Sequence, residues 1–152
     1  MTSPDDLAAL HASAFDGAAR WSAGSFAAAQ RDPTCFFVPE DGDAHGFALG
    51  RVMADEVELL TLVVAPDRRR RGTATALLDA FERQAAARGA EAAFLEVSAD
   101  NVPARALYAR AGWREVGRRP GYYGGTDAIA MRKDLAGGLF RDGTGGASAD
   151  QP

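Results

Sequence analysis

The nine residues Glu56-Val57-Glu58-Leu59-Leu60-Thr61-Leu62-Val63-Val64 run directly into Ala65-Pro66-Asp67, four arginines (Arg68, Arg69, Arg70 and Arg71) and then Gly72-Thr73-Ala74. The first stretch is apolar enough for a strand inside a sheet. Pro66-Asp67 stops it. From Thr73 the apolar period becomes helical, with Leu77, Leu78, Phe81 and Ala85 on one face until Gly89 ends the run as a C-cap. An interior strand that feeds a helix through a basic glycine turn points to a mixed α/β fold.

A helix starting at Thr73 leaves its first backbone N–H groups without partners inside the helix. The partial positive charge of that end adds to Arg69, Arg70 and Arg71, and Gly72, which has no Cβ, lets a ligand come close to the main chain. A pyrophosphate is of suitable size. The same residues also suit a solvated charged turn, in which Gly72 only eases the bend, or a basic patch for nucleic acid. The nucleic-acid reading fits poorly: 17 Lys and Arg stand against 21 Asp and Glu, a net charge of −4, and no aromatic residues interleave with the arginines. Gly-x-x-x-x-Gly-Lys-Ser/Thr and Gly-x-Gly-x-x-Gly are absent, which disfavours an ATP or dinucleotide site of those types.

The remaining elements follow from period and caps. Ser3 is placed as an N-cap with Pro4 at the first helical position and Asp5 and Asp6 in the first turn; Leu7, Leu10, His11 and Ala14 then share a face. Ser22 caps a second helix that ends near Gln30, with Trp21 stapled onto Phe26. Strands are predicted over 35–38, 45–53, 56–64 and 92–97. Asn101 caps a helix with Pro103 in its first turn, closed by Gly112. Two final strands, 113–116 and 128–131, flank a predicted loop over 117–126 that holds Tyr122 and Tyr123 among glycines. The order is α-α-β-β-β-α-β-α-β-β, four helices and six strands. The length of 152 residues favours one domain over 1–135; residues 136–152, rich in Gly, Ala and Asp, are expected to form a mobile tail.

Several chemistries are disfavoured. Cys35 is the single cysteine, so no disulfide can form within the chain, and its apolar setting suits core filling better than attack on a thioester. His11 and His45 lack neighbours at metal-ligand spacing, and no Ser-His-Asp arrangement is suggested, so no metal is expected. Two acids near the N-terminus argue against a secretory leader, and no apolar run approaches the ~20 residues that span a bilayer. A soluble cytoplasmic protein, binding neither nucleic acid nor membrane, is the expectation.

Arg69-Arg70-Arg71-Gly72-Thr73-Ala74 fits the Arg/Gln-x-x-Gly-x-Gly/Ala motif and resembles that of the GNAT N-acetyltransferases. The segment from Asn101 through Ala104, Leu107 and Tyr108 to Gly112-Trp113 is similar to the family's Asn-x-x-Ala-x-x-Leu-Tyr-x-x-x-Gly-Phe. Leu95-Glu96-Val97, Arg118-Arg119 before Tyr122-Tyr123, Asp127-Ala128 before Met131, and Ala14-Phe15 followed by Trp21-Ser22 resemble the RimI type, which acetylates the N-terminal alanine of a small-subunit ribosomal protein. The resemblance implies a single-domain GNAT fold with a mixed, mostly antiparallel sheet. It also implies acetyl-CoA as co-substrate, held by Leu62, Val63, Val64, the turn Arg69, Arg70, Arg71, Gly72, Thr73 and Ala74, Asn101 and Tyr108. By the same resemblance Glu96 is the base, Tyr108 the acid, and the partner a ribosomal protein N-terminus. Trp21, Tyr122 and Tyr123 are candidates for the acceptor side. Pro120-Gly121 stands before Tyr122-Tyr123 where the RimI pattern has one residue.

Acetyl transfer to an amine needs a neutral nucleophile, a polarised carbonyl and a proton for the departing thiolate. An α-amine has a reference pKa of about 7.7–8.0 against about 10.4 for lysine, so a modest base serves an N-terminus better than a side chain. Glu96, beside Phe94, Leu95 and Val97, gains basicity if partly buried; it could equally face solvent on its strand. Tyr108 lies seven positions after Asn101, on nearly the same helical face, and its phenol can protonate a thiolate; packing with Leu107 is its bland alternative. Tyr122 and Tyr123 either wall a peptide channel or simply pack. Direct transfer in a ternary complex is favoured. The alternatives are transfer to a small-molecule amine (polyamine, amino acid or aminoglycoside) and a non-catalytic acyl-CoA-binding module.

Overall fold

The computed structural model describes residues 2–15, 21–40, 42–69 and 71–135, apart from the side chain of Tyr123. The expected tail and Arg70 lie outside the described residues. The elements are α1 (Pro4–Ala12), α2 (Ala23–Arg31), β1 (Cys35–Val38), β2 (Gly46–Met53), β3 (Glu56–Val64), a 3₁₀ turn (Pro66–Arg68), α3 (Thr73–Ala87), β4 (Ala92–Ser98), α4 (Val102–Arg110), β5 (Arg114–Tyr123) and β6 (Thr126–Asp134). The order is the one predicted. The six strands lie β1-β2-β3-β4-β6-β5, with β3 and β4 parallel and central. The chain divides into two compact units, one taking in the residues up to Arg51 with Leu59–Phe81, the other Val52–Glu58 with the residues from Glu82 onward.

In the first unit both helix starts follow their caps: Ser3 Oγ accepts the Asp6 N–H at 3.1 Å and Ser22 Oγ the Ser25 N–H at 3.1 Å. Trp21 meets Phe26 with ring centroids 5.1 Å apart, the expected staple, and Phe26 meets Phe47 edge-on at 5.5 Å. Leu7, Leu10, Leu49 and Val63 complete this core. α1 stops at Ala12, so Ala14 leaves the buried face and is exposed. His11 is buried, its Nδ1 accepting the Trp21 backbone N–H at 3.2 Å while Nε2 lies 3.0 Å from Thr61 Oγ1. An Nδ1 that accepts carries no proton, which leaves a neutral ring with its hydrogen on Nε2 for Thr61. The histidine therefore ties α1, the entry to α2 and β3 together. Phe36 stacks on Phe81 at 5.6 Å, and a Cβ at Gly50 would come within 2.5 Å of Phe81 and 2.9 Å of Phe36.

In the second unit β4 pairs parallel with β3 over Glu56↔Ala92 to Glu58↔Phe94 and antiparallel with β6 over Ala92↔Asp134 to Ser98↔Ala128. Leu95, Ile129 and Met131 are buried. A polar knot closes one end of this unit: Glu82 accepts from Trp113 Nε1 at 3.1 Å and from Lys133 Nζ at 2.7 Å, and Lys133 also donates to the Ala111 carbonyl at 2.6 Å. Each of these half-buried charges has a charged or polar partner, which offsets its partial loss of water.

The predicted loop over 117–126 is not a loop. β5 continues to Tyr123 and β6 begins at Thr126, so only Gly124 and Gly125 form the turn, both with positive φ (55° and 98°) as a tight hairpin of primed type requires. Pro120 and Gly121, which read as breakers, are tolerated because β5 is an edge strand, with an irregular register between Arg119 and Tyr123. Asp127 fastens the hairpin by accepting from Arg118 at 2.8 Å and from the Gly121 N–H at 2.9 Å.

Candidate functional site

The residues singled out from sequence fall into two groups, one in each compact unit. The first follows β3. Val63 and Val64 are buried at the end of the strand and Leu62 is half-buried. Arg69 Nε donates to the Val64 carbonyl at 3.1 Å, so this arginine braces the turn as well as charging it. Arg68, Arg69 and Arg71 are exposed; Arg70 lies outside the described residues. Gly72 has φ +76°, a conformation that suits glycine, and among the described residues, its two chain neighbours aside, nothing lies within 4 Å of where its Cβ would stand. Its freedom therefore serves the turn, and the space above it is open.

The first bond inside α3 runs from the Ala76 N–H to the Gly72 carbonyl at 3.0 Å. The N–H groups of Thr73, Ala74 and Thr75 precede it and have no acceptor within the helix. The Thr73 hydroxyl donates to the Arg68 carbonyl at 3.2 Å, away from that role. A positive helix end, with arginines beside it and glycine at the approach, is a setting that suits an anion.

The second group lies on β4, α4 and the β5–β6 hairpin. Glu96 is half-buried, its side chain 22% exposed, and both of its oxygens accept from Arg119, Oε2 from Nε at 2.6 Å and Oε1 from Nη2. The two residues are joined across β6, whose intervening side chains on that face are Ala128 and Ala130: Glu96 stands opposite Ala130, and Arg119 opposite Ala128. Strands are ~4.8 Å apart, so an arginine can arch over one strand only where the side chains beneath it are small. The Arg119 guanidinium also lies 4.3 Å from the centre of the exposed Tyr122 ring. Sequence reading missed Arg119 as a partner of Glu96; the signal is the register of three strands, which no local motif carries.

Tyr108 is buried on α4, 7% exposed, with its ring 5.8 Å from that of Trp113. Asn101 caps α4 by accepting the Ala104 N–H at 3.3 Å, which commits its side-chain oxygen. Trp21 packs on the first unit's core, half-buried. Tyr122 is 51% exposed; Tyr123 pairs through its backbone with Thr126.

Burial, then the neighbouring Asp32 charge, pushes the Cys35 thiol up, which keeps it from becoming a nucleophilic thiolate. The Arg118 guanidinium, followed by the Gly121 N–H, holds the Asp127 carboxyl below the usual carboxylate range. Among the described residues no three His, Cys, Asp or Glu side chains are grouped to hold a metal, and no helix is long and apolar enough to cross a membrane.

Residues 5–113 match the acetyltransferase (GNAT) family. The chain is 36% identical over 136 residues to the ribosomal protein bS18-alanine N-acetyltransferase of Escherichia coli (strain K12), spanning 86% of this chain and 92% of that one. The crystal structure of the ribosomal-protein-S18-alanine N-acetyltransferase from Escherichia coli superposes with a TM-score of 0.72 at 31% identity, covering 89% of this chain and 90% of that chain. Mycothiol acetyltransferase of Clavibacter michiganensis subsp. michiganensis is 42% identical over 86 residues, which are 55% of this chain and 28% of that protein.

Proposed function

Because the chain belongs to the acetyltransferase (GNAT) family, and so is an N-acetyltransferase dependent on acetyl-CoA, we propose that its acceptor is the α-amine of a protein N-terminus, with alanine first, on a small-subunit ribosomal protein. The observation that carries this reading is the extent of the match to the bS18-alanine N-acetyltransferase, which spans 92% of that enzyme, whereas the more identical mycothiol acetyltransferase match spans 28% of its relative.

The residues fit the donor. The spare N–H groups of Thr73, Ala74 and Thr75, the open space at Gly72 and the charges of Arg69 and Arg71 suit the phosphates of acetyl-CoA. When bound, acetyl-CoA supplies an activated acyl group on a thiol leaving group. Asn101 acts by starting α4 and so setting the orientation of Tyr108. Leu62, Val63 and Val64 contribute the end of β3 as the wall of the donor site.

Glu96 receives the proton that the amine gives up on attack. The bidentate arginine occupies one lone pair on each carboxylate oxygen, and each oxygen keeps another. Tyr108 donates its phenolic proton to the departing thiolate; on reference values of about 10 and about 8.5 the transfer is uphill by about 2 kcal/mol, a cost small enough for a general acid to serve. Transfer is direct, in a ternary complex; the raised Cys35 thiol is unsuited to carry an acyl group. Tyr122 and Tyr123 border the acceptor, and Trp21 contributes by fixing the start of α2. The reaction runs in the cytoplasm, in residues 1–135.

The test incubates the full chain with acetyl-CoA, a pool of short peptides that differ in first residue, and common small amines, and locates acetyl by tandem mass spectrometry. Acetyl on the α-amine of alanine-first peptides is expected. Acetyl confined to polyamines, amino acids or aminoglycosides overturns the ribosomal acceptor and keeps the donor site; CoA binding without turnover of any acceptor overturns the ribosomal acceptor and the roles of Glu96 and Tyr108, and leaves the donor site alone standing.

A further inference from the structure

Glu96 is not a bare carboxylate. Arg119 donates to both of its oxygens, Tyr122 lies against the guanidinium, and Ala128 and Ala130 leave the path between them clear. Among the other charged groups on the flanking strands, Arg118 pairs with Asp127 at 2.8 Å, Arg132 with Glu56 at 3.1 Å and Lys133 with Glu82 at 2.7 Å. Asp100, past the end of β4, accepts from Ser98, and Arg105 on α4 pairs with Glu115 at 2.6 Å. The charge that an incoming amine meets at Glu96 is therefore that of a neutral pair.

We propose that Arg119 is a specificity-determining positioning residue: by cancelling the charge of Glu96 it makes this centre admit amines in their neutral form, and so prefer N-terminal α-amines to lysine side chains. The proposal rests on the reading of Glu96 as the proton acceptor. A lone half-buried carboxylate would attract an ammonium and take its proton as attack proceeds, so that a lysine could also enter in its charged form. The Glu96–Arg119 pair offers no such attraction. An amine then reacts in proportion to its neutral fraction, which at pH 7 is roughly one in six to one in eleven for an α-amine and roughly one in 2,500 for lysine, a preference of roughly 200- to 400-fold from charge alone. The fork geometry and the Tyr122 face keep the guanidinium in register, which a flexible ammonium does less well.

The experiment measures kcat/KM against pH for the full-length wild type, R119Q, R119K and E96Q with acetyl-CoA and two probes: an alanine-first octapeptide lacking lysine, and an Nα-blocked octapeptide with one internal lysine. Thermal melts verify that each variant is folded. R119Q is expected to reduce the α-over-ε preference at least tenfold, to lower KM for the lysine probe with kcat retained, and to begin its rise with pH earlier than the wild type; R119K is expected to keep most of the preference. An inactive E96Q beside an R119Q with wild-type preference and pH profile overturns the proposal and leaves the reading of Glu96 intact. An E96Q that keeps wild-type turnover overturns that reading and the proposal with it. Should R119Q fail to fold, R119K decides: a loss of fork geometry that leaves the preference in place supports charge as the cause, and a preference that falls with the charge retained overturns it.

Discussion

The turn at 65–76 and the β4–β6–β5 face use opposite means to prepare for a ligand. In the turn the proposed binding groups are main-chain N–H groups without an acceptor inside the helix, and Gly72 adds no side chain over them. On the sheet face the functional side chains are already paired, Glu96 with Arg119 and Arg118 with Asp127. A backbone site is built by local sequence and tolerates its surroundings; a side-chain site exists only when three strands are in register. The first should therefore respond to substitution at one position, and the second to changes in any member of the set.

The largest effect is expected at Glu96. Glu96→Gln should lower kcat for an alanine-first peptide by about 10²–10⁴, with CoA affinity by calorimetry unchanged; a matching loss of affinity would merge the two regions into one. Next comes Gly72→Glu, which sets a carboxylate in the open space over the helix end. It should weaken CoA binding by about 10- to 100-fold, or about 1.4–2.8 kcal/mol, and cost folding ~1–2 kcal/mol because φ is +76°. Unchanged CoA affinity would sink the assignment of that turn.

Asn101→Ala should cost ~1 kcal/mol in chemical denaturation through the lost cap, and by loosening α4 it should lower kcat more than it alters CoA affinity; the reverse pattern would make Asn101 a donor contact. The smallest effect belongs to Asp127. Its folded pKa is depressed, so its contribution is present above the ordinary aspartate value of about 3.9 and is lost as pH falls through the lower folded value. Hydrogen exchange of the Gly121 amide should quicken relative to the rest of β5 in that acid window in the wild type and be insensitive to it in Asp127→Asn.

How far the sequence reached differs between the same two regions. Caps, staples and the change of period at Thr73 placed the elements, because each is settled within about ten residues of itself: Ser3 and Ser22 cap, Trp21 meets Phe26, and Asn101 starts α4. The hairpin was misread because Pro120 and Gly121 carry breaker signals whose weight depends on strand position, and an edge strand discounts them. Tyr123-Gly124-Gly125-Thr126 already held the two-residue hairpin signal. The Glu96–Arg119 pair joins residues 23 apart in sequence through the register of an intervening strand. The double acceptance and donation of His11 likewise depends on where Trp21 and Thr61 meet it.

Gly50 and Gly72 would leave different marks on a population of variants under selection. At position 50 any side chain collides with Phe81 and Phe36, so replacements should disappear even from a screen that asks only for folded protein, unless one of those rings shrinks in the same clone. At position 72 the cost of folding is modest, and replacements should persist in that screen while vanishing from one that asks for turnover. Sequencing survivors of both screens would separate the glycine demanded by the architecture from the one demanded by the reaction.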